Sequence, residues 1–251
     1  MIDDKMTEAE YFAHPALNQS AFKNFLVSPK HYEWHKHNRQ APSKELVIGS
    51  LAHLLLLEPE SFKDRVHMLK AASLSNKEAR EAREFYKKDP RKIIAPSAWV
   101  ADVETMIEES EIRKVVEGIP ADRREIAAFN TILGQPVKAK ADWIDDEGYI
   151  CDLKTTDDLE TFRYTWKKYG YDIQAEWYLL AFREMDPEGF KIYPLGKKRP
   201  HDYEVFRVDE EDLARVKDML KVKIPEFRAC QEADLWPGKS KDLQTLGGGY
   251  S

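Results

Sequence analysis

The chain has 251 residues, of which 42% are hydrophobic and 33% charged, and its formal net charge is −6. That length accommodates one large domain or two small ones, and the balance is that of a globular, water-facing chain. The negative charge excludes a protein that coats nucleic acid over its whole surface, while leaving room for a local basic groove.

The opening "MIDDKMTEAEYF" is acidic and lacks the basic-then-apolar order of a secretion signal. The longest apolar run, Leu54–Leu57, is far short of the roughly 18 residues of a membrane span. Cys151 and Cys230, the two cysteines, cannot build a disulfide framework or a thiolate-rich metal site, so a reducing cytoplasm is the expected setting. Residues 18–38 predict a helix capped at Asn18 or Ser20, broken near Ser28-Pro29 and followed by a second short helix. Residues 46–57 predict an apolar helix ending by Pro59, 75–88 a solvated helix, and 96–117 another helix with Pro96 near its start. After Pro120 the character changes. "REIAAFNTI", "VKAKADWI", "GYICDLKT", "FKIYPL" and "DYEVFRV" predict strands, with an aromatic-rich helical region over 161–184 and a helix over 209–232. This order predicts a single α/β domain with a central mixed sheet flanked by helices. Residues 1–118 would be mainly helical, 119–208 would form the sheet core with its inserted helix, and 209–251 the final helix and tail.

The two strands around "DDEG" read as a hairpin. With Asp146-Glu147-Gly148 as a three-residue loop, glycine takes the left-handed position and Asp145 pairs with Tyr149. Counting back sets Asp142 opposite Asp152, with Cβ atoms ~5 Å apart on one face. Two such carboxylates repel unless a cation lies between them; a hard divalent ion fits, and Lys154 is on the same face. A plain solvated polar face is the other reading, and one residue of slip would separate the pair.

Asp142, nine intervening residues and then "DLK" fit the Asp-Xₙ-(Asp/Glu)-X-Lys signature of PD-(D/E)XK nucleases. "GSLAHLLLLEPESF" (49–62) is similar to the helix that gives RecB-like nucleases a histidine ligand, and "YDIQAEWY" (171–178) to their Gln-X-X-X-Tyr motif. With "SAFKNFLVSPKHYEWHK", "DLKTTDDLETF" and "ADLWPG", the chain resembles the RecE-type exonuclease VIII nuclease domain, in order from about residue 17 to 238.

The resemblance implies that His53, Asp142 and Asp152 hold Mg²⁺ or Mn²⁺, and that Lys154 positions the attacking water and stabilises the transition state. Glu125 would support the metal site as a family acidic residue, or be an exposed strand-end glutamate. Gln174 and Tyr178, four apart on one helix face, would point at the active site and the DNA backbone. Thr155 and Thr156 would cap the following helix or bind phosphate, and Asp157 and Asp158 would be helix-start carboxylates. Candidate DNA contacts are Lys30, His31, His35, Lys36 and Arg39, then Lys167 and Lys168, and "GKKRP" (196–200). The family likeness further implies 5′-to-3′ degradation of duplex DNA from its ends to 5′-mononucleotides. It also implies a ring-like homo-oligomer (trimer or tetramer) and a single-strand annealing protein as partner. An endonuclease or nickase of the same fold, and a non-catalytic DNA-binding member of it, are the alternatives.

Overall fold

In the computed structural model, residues 2–3, 8–38, 40–70, 77, 80, 81, 84 and 92–241 are described. The strands are β1 (Ile2–Asp3), β2 (Leu17–Asn18), β3 (Val66–Leu69), β4 (Ile93–Pro96), β5 (Arg124–Ile132), β6 (Gln135–Ile144), β7 (Tyr149–Thr156), β8 (Gly189–Gly196) and β9 (Phe206–Arg207). β5, β6 and β7 form an antiparallel meander, β8 adds parallel to β7, and β9 adds antiparallel to β8. β1 covers the outer edge of β5, and the small β3–β4 pair stands apart. The sheet is mixed, as the strand pattern predicts.

β6 is shared on one edge. Near its end, Trp143 and Ile144 pair with Cys151 and Ile150 of β7; near its start, Val137 and Lys138 pair in parallel with Leu17 and Asn18 of β2. The sheet forks between those two contacts. The positions from Ala139 to Asp142 have no strand partner on that edge, so the candidate site residue Asp142 lies at this opening.

Both faces of the sheet are covered. On one, Phe22, Phe25, Trp177 and Phe227 pack with Ala139, Ala141, Ile150 and Ile192. On the other, Leu51, Val103 and Ile107 pack with Trp143, Cys151, Leu153 and Tyr193. Ile150 and Cys151 therefore face opposite layers, as the two-residue period of a strand requires. Each layer buries aromatic and aliphatic surface against the sheet, and the polar site residues lie between the two.

The expected elements are largely in place. Ser28 caps the Pro29–His37 helix after the Gln19–Val27 helix, which Asn18 caps by accepting the Ala21 N–H at 2.8 Å. Three expectations need correction. The 96–117 helix is two, Ser97–Ser110 and Ile112–Glu117, broken where Glu111 adopts a left-handed φ of 60°. The 161–184 region is interrupted by a left-handed Gly170, so the regular helix is Tyr171–Ala181. "DYEVFRV" gives only the two-residue β9 and a single bridge from Tyr203 to Leu195. Most of the 75–88 helix lies outside the described residues; Lys77, Arg80, Glu81 and Glu84 are helical. Among the described residues, no helix is long and apolar enough to cross a membrane.

Candidate active site

The hairpin register is the one counted from sequence, with the Asp145 N–H donating to the Tyr149 carbonyl at 3.1 Å. Its last rung, however, is Trp143–Cys151, and Asp142 and Asp152 do not form the next one. Asp142 Oδ2 instead accepts the Leu153 N–H at 2.7 Å, supplying by side chain the hydrogen bond the forked sheet omits. On β5, Glu125 lies opposite Asp142 between two regular pairs, and its backbone is left-handed, with φ 53°. Ala141 and Trp143, two residues apart, pack into opposite layers, so the alternation breaks at this point. Left-handed backbone at a glutamate is uncommon and persists only when its surroundings enforce it.

His53 comes from the buried middle of the Lys44–Leu57 helix. Its Nε2 is 2.9 Å from the Leu153 carbonyl and its Nδ1 3.3 Å from Asp142 Oδ2. A carbonyl can only accept, so Nε2 carries a proton. In a neutral ring Nδ1 is then a bare acceptor facing a carboxylate, an arrangement that requires either a second proton or a bound cation. Ligand atoms of His53, Glu125 and Asp142 all lie within 4.8 Å of one another. One imidazole nitrogen and two carboxylate oxygens suit a divalent ion, so this donor set fits a metal.

Asp152 is not part of that trio. It is 2% exposed, and its Oδ1 accepts the Gln174 side-chain N–H at 2.6 Å while its Oδ2 pairs with Lys154. The Lys154 ammonium also stands 5.1 Å from the centre of the Tyr171 ring. Gln174 and Tyr178 share a helix face as expected, and both line the cleft. Glu125 is held by Lys140, whose ammonium is also 3.6 Å from Glu58; Arg65 pairs with Glu58 from the other side at 3.4 Å.

The electrostatics follow from burial and these pairings. Burial alone would lower the His53 pKa, but the facing Asp142 carboxylate outweighs it and raises the value to about 9. Burial opposes ionisation of Asp142 as well; His53, Lys154 and the Leu153 N–H overcome it and hold that carboxyl below its ordinary value. For Asp152 and Glu125, burial prevails over the adjacent Lys154 and Lys140, and both shift upward. Lys154 moves up despite its burial, because Asp152 and Asp142 favour the ammonium form. It is a cation in this state.

The cleft over these groups has a volume of about 790 Å³ and is lined by the cations Lys23, Arg65, Lys140, Lys154 and Lys197. Of the candidate DNA contacts singled out from sequence, Lys197 borders it. His31 and His35 contact each other at 3.1 Å, Lys36 pairs with Glu33, and Lys167 with Asp212, and none of these lines the cleft; Arg39 lies outside the described residues. Lys140 and Lys23 were missed. The alternation of "VKAKAD" sets Lys140 two residues before Asp142, and that spacing was the available signal. Thr156 and Asp158 form the turn after β7, with Asp158 Oδ1 accepting the Thr161 N–H at 3.1 Å. Thr156 thus bonds within the turn, and the N-cap of the following helix is Thr161. Asp157 pairs instead with Lys197 at 3.0 Å.

Residues 18–246 match the family described as a PDDEXK-like domain of unknown function (DUF3799). The chain belongs to this family. A crystal structure from Eubacterium rectale named "Putative exonuclease" aligns with a TM-score of 0.65 and 15% identity, covering 98% of this chain and 96% of that one. At that identity the likeness shows a shared fold, and it is the family match that makes it PD-(D/E)XK-like. A structure of SSO0001 aligns at a TM-score of 0.32 with 14% identity, over 81% of this chain and 85% of its own, which is too loose to argue from. Comparison with curated proteins gives no match.

Proposed function

We propose that this PDDEXK-like chain is a metal-dependent deoxyribonuclease that removes nucleotides from the ends of duplex DNA, as RecE-type exonucleases do. The observation that carries the reading is the juxtaposition of His53, Glu125, Asp142 and Lys154 in one cleft of mixed charge, with Asp152 paired to Lys154 beneath it. His53, Glu125 and Asp142 would hold the ion, and bound there, Mg²⁺ or Mn²⁺ supplies a lowered water pKa and charge neutralisation at the phosphate.

The remaining chemistry belongs to the chain. Hydrolysis forms a bond from water oxygen to phosphorus and breaks the bond to the 3′ oxygen, which takes up a proton and leaves a 5′-phosphate. Lys154, as an ammonium braced by Asp152 and Tyr171, is placed to offset charge growing on the phosphoryl oxygens. Gln174 fixes the Asp152 carboxylate and so fixes Lys154 through it. Tyr169 and Tyr171, with ring centres 5.7 Å apart at the cleft, offer faces for a terminal base.

The test is digestion of linear 5′-labelled duplex and of covalently closed circular DNA with Mg²⁺ or Mn²⁺. The expected result is mononucleotide release from the linear form alone, with Lys154→Met slower by about 10²–10⁴-fold. Nicking of the circle would replace this reading with an endonuclease. Undiminished activity in Lys154→Met would remove the assigned site.

A further inference from the structure

A second cavity, of about 470 Å³, adjoins the cleft and shares Glu45, Asp157 and Lys197 with it. Its cations are Lys44, Lys197, Lys198 and Arg199, three of them consecutive in a loop that follows β8. The wall also carries Glu45, Asp102 and Asp157, so four cations stand against three carboxylates, a slight local excess of positive charge in a chain of net charge −6.

The loop is built to hold them in place. The Lys197 N–H donates to the Thr156 carbonyl at 2.8 Å, the Gly196 N–H to the Asp202 carbonyl at 2.9 Å, and the His201 N–H to the Lys198 carbonyl at 2.9 Å. His201 is 8% exposed, has a left-handed φ of 58°, and returns its Nδ1 to the Gly196 carbonyl at 3.1 Å. A side chain at Gly196 would place its Cβ 2.8 Å from Leu159 Cδ1 and 3.2 Å from the Asp202 carbonyl oxygen, so this close approach needs glycine. Across the cavity, the Lys44 ammonium sits 5.2 Å from the Trp99 ring centre.

We infer that this cavity binds the sugar-phosphate backbone of the DNA strand next to the scissile phosphate, an inference that rests on the nuclease reading above. Thr156, which anchors Lys197, is two residues beyond Lys154 on β7, about 7 Å along the strand. That is the axial span of about two nucleotides in one DNA strand. Two of its cations are already paired, Lys197 with Asp157 at 3.0 Å and Arg199 with Glu109 at 3.0 Å. Asp157 is 69% exposed and Arg199 72%, so a phosphate can displace either carboxylate at little cost. Glu45 and Asp102 also line the wall.

The test is equilibrium binding of a fluorescein-labelled blunt duplex across a salt series with Mg²⁺, in the Asp152→Asn background so that the probe stays intact. Lys198→Glu/Arg199→Glu is compared with Lys221→Glu/Lys223→Glu, a reversal of equal charge on the Glu210–Ala233 helix. The expected result is a slope of log affinity against log salt that is shallower by about 1.5 in the loop variant, with the helix variant unchanged. Lys198→Ala/Arg199→Ala should give the same loss of slope with a smaller drop in affinity. Equal slopes in loop and helix variants would overturn the inference and leave the nuclease reading standing. Absence of any binding by the Asp152→Asn protein, or digestion of the probe by it, would overturn both.

Discussion

At the scale of single residues, the site is organised by carboxylates whose partners differ. Asp142 faces an imidazole and a peptide N–H, Asp152 an amide and an ammonium, and Glu125 the Lys140 ammonium. His53 joins two of these elements, since its ring touches both Asp142 and the carbonyl of Leu153. Substituting His53→Ala is expected to weaken Mn²⁺ binding at least about tenfold, read by titration calorimetry without DNA. Unchanged affinity would place the ion elsewhere. A second residue-scale effect lies in the helix Tyr171–Ala181. Glu176 is 5% exposed, and burial, opposed by Lys217, pushes its pKa up to about 7. Folding therefore makes this carboxyl bind its proton more tightly, and stability falls as pH rises from about 4.5 to about 7. Glu176→Gln should be more stable than the parent by on the order of 2 kcal/mol at about pH 8, with the gain vanishing near pH 4. Urea denaturation at both pH values measures it.

At the scale of elements, the hairpin shows what sequence spacing conveys. "DDEG" places the loop correctly and with it the register, because glycine at 148 satisfies a left-handed turn, here φ 87°. The fork in the sheet was not legible: it depends on Leu17 and Asn18 arriving at β6 from far away in the chain. Without the fork, alternation alone sets Asp142 and Asp152 as a rung, and Glu125 reads equally well as a surface residue. The likeness of "GSLAHLLLLEPESF" placed His53 at the site, whereas its apolar neighbours alone favour a core histidine. Gly170 ends the irregular segment after β7 and starts the helix that carries Gln174 and Tyr178, at φ 68°. A Cβ there would also meet Lys23 Cδ at 2.8 Å. Gly170→Ala should cost about 1–2 kcal/mol and lower the melting temperature by a few degrees. No change in melting temperature would mean the turn relaxes freely.

At the scale of the whole molecule, negative charge is gathered where the two packed layers meet. Glu58, Glu125, Asp142 and Asp152 lie within a region held together from both faces, and their repulsion is balanced by Lys140, Lys154 and His53. An ion that binds the folded chain but not the unfolded one raises stability, by about 2.7 kcal/mol at a hundred times its dissociation constant. Mg²⁺ or Mn²⁺ should accordingly raise the melting temperature of the parent, and Ca²⁺ should do so less in His53→Ala than in the parent. A melting temperature indifferent to all three ions would argue against the donor set.

The fork in the sheet has a practical consequence for trapping a substrate complex. Asp142 stands in for a missing backbone acceptor, so replacing it by alanine strands the buried Leu153 N–H and costs about 1–3 kcal/mol in addition to any loss of chemistry. A silent Asp142→Ala protein would confound inactivity with partial unfolding. Asp152→Asn keeps an oxygen for Gln174 and leaves the Leu153 hydrogen bond intact, which makes it the better choice of inactive protein for capturing DNA.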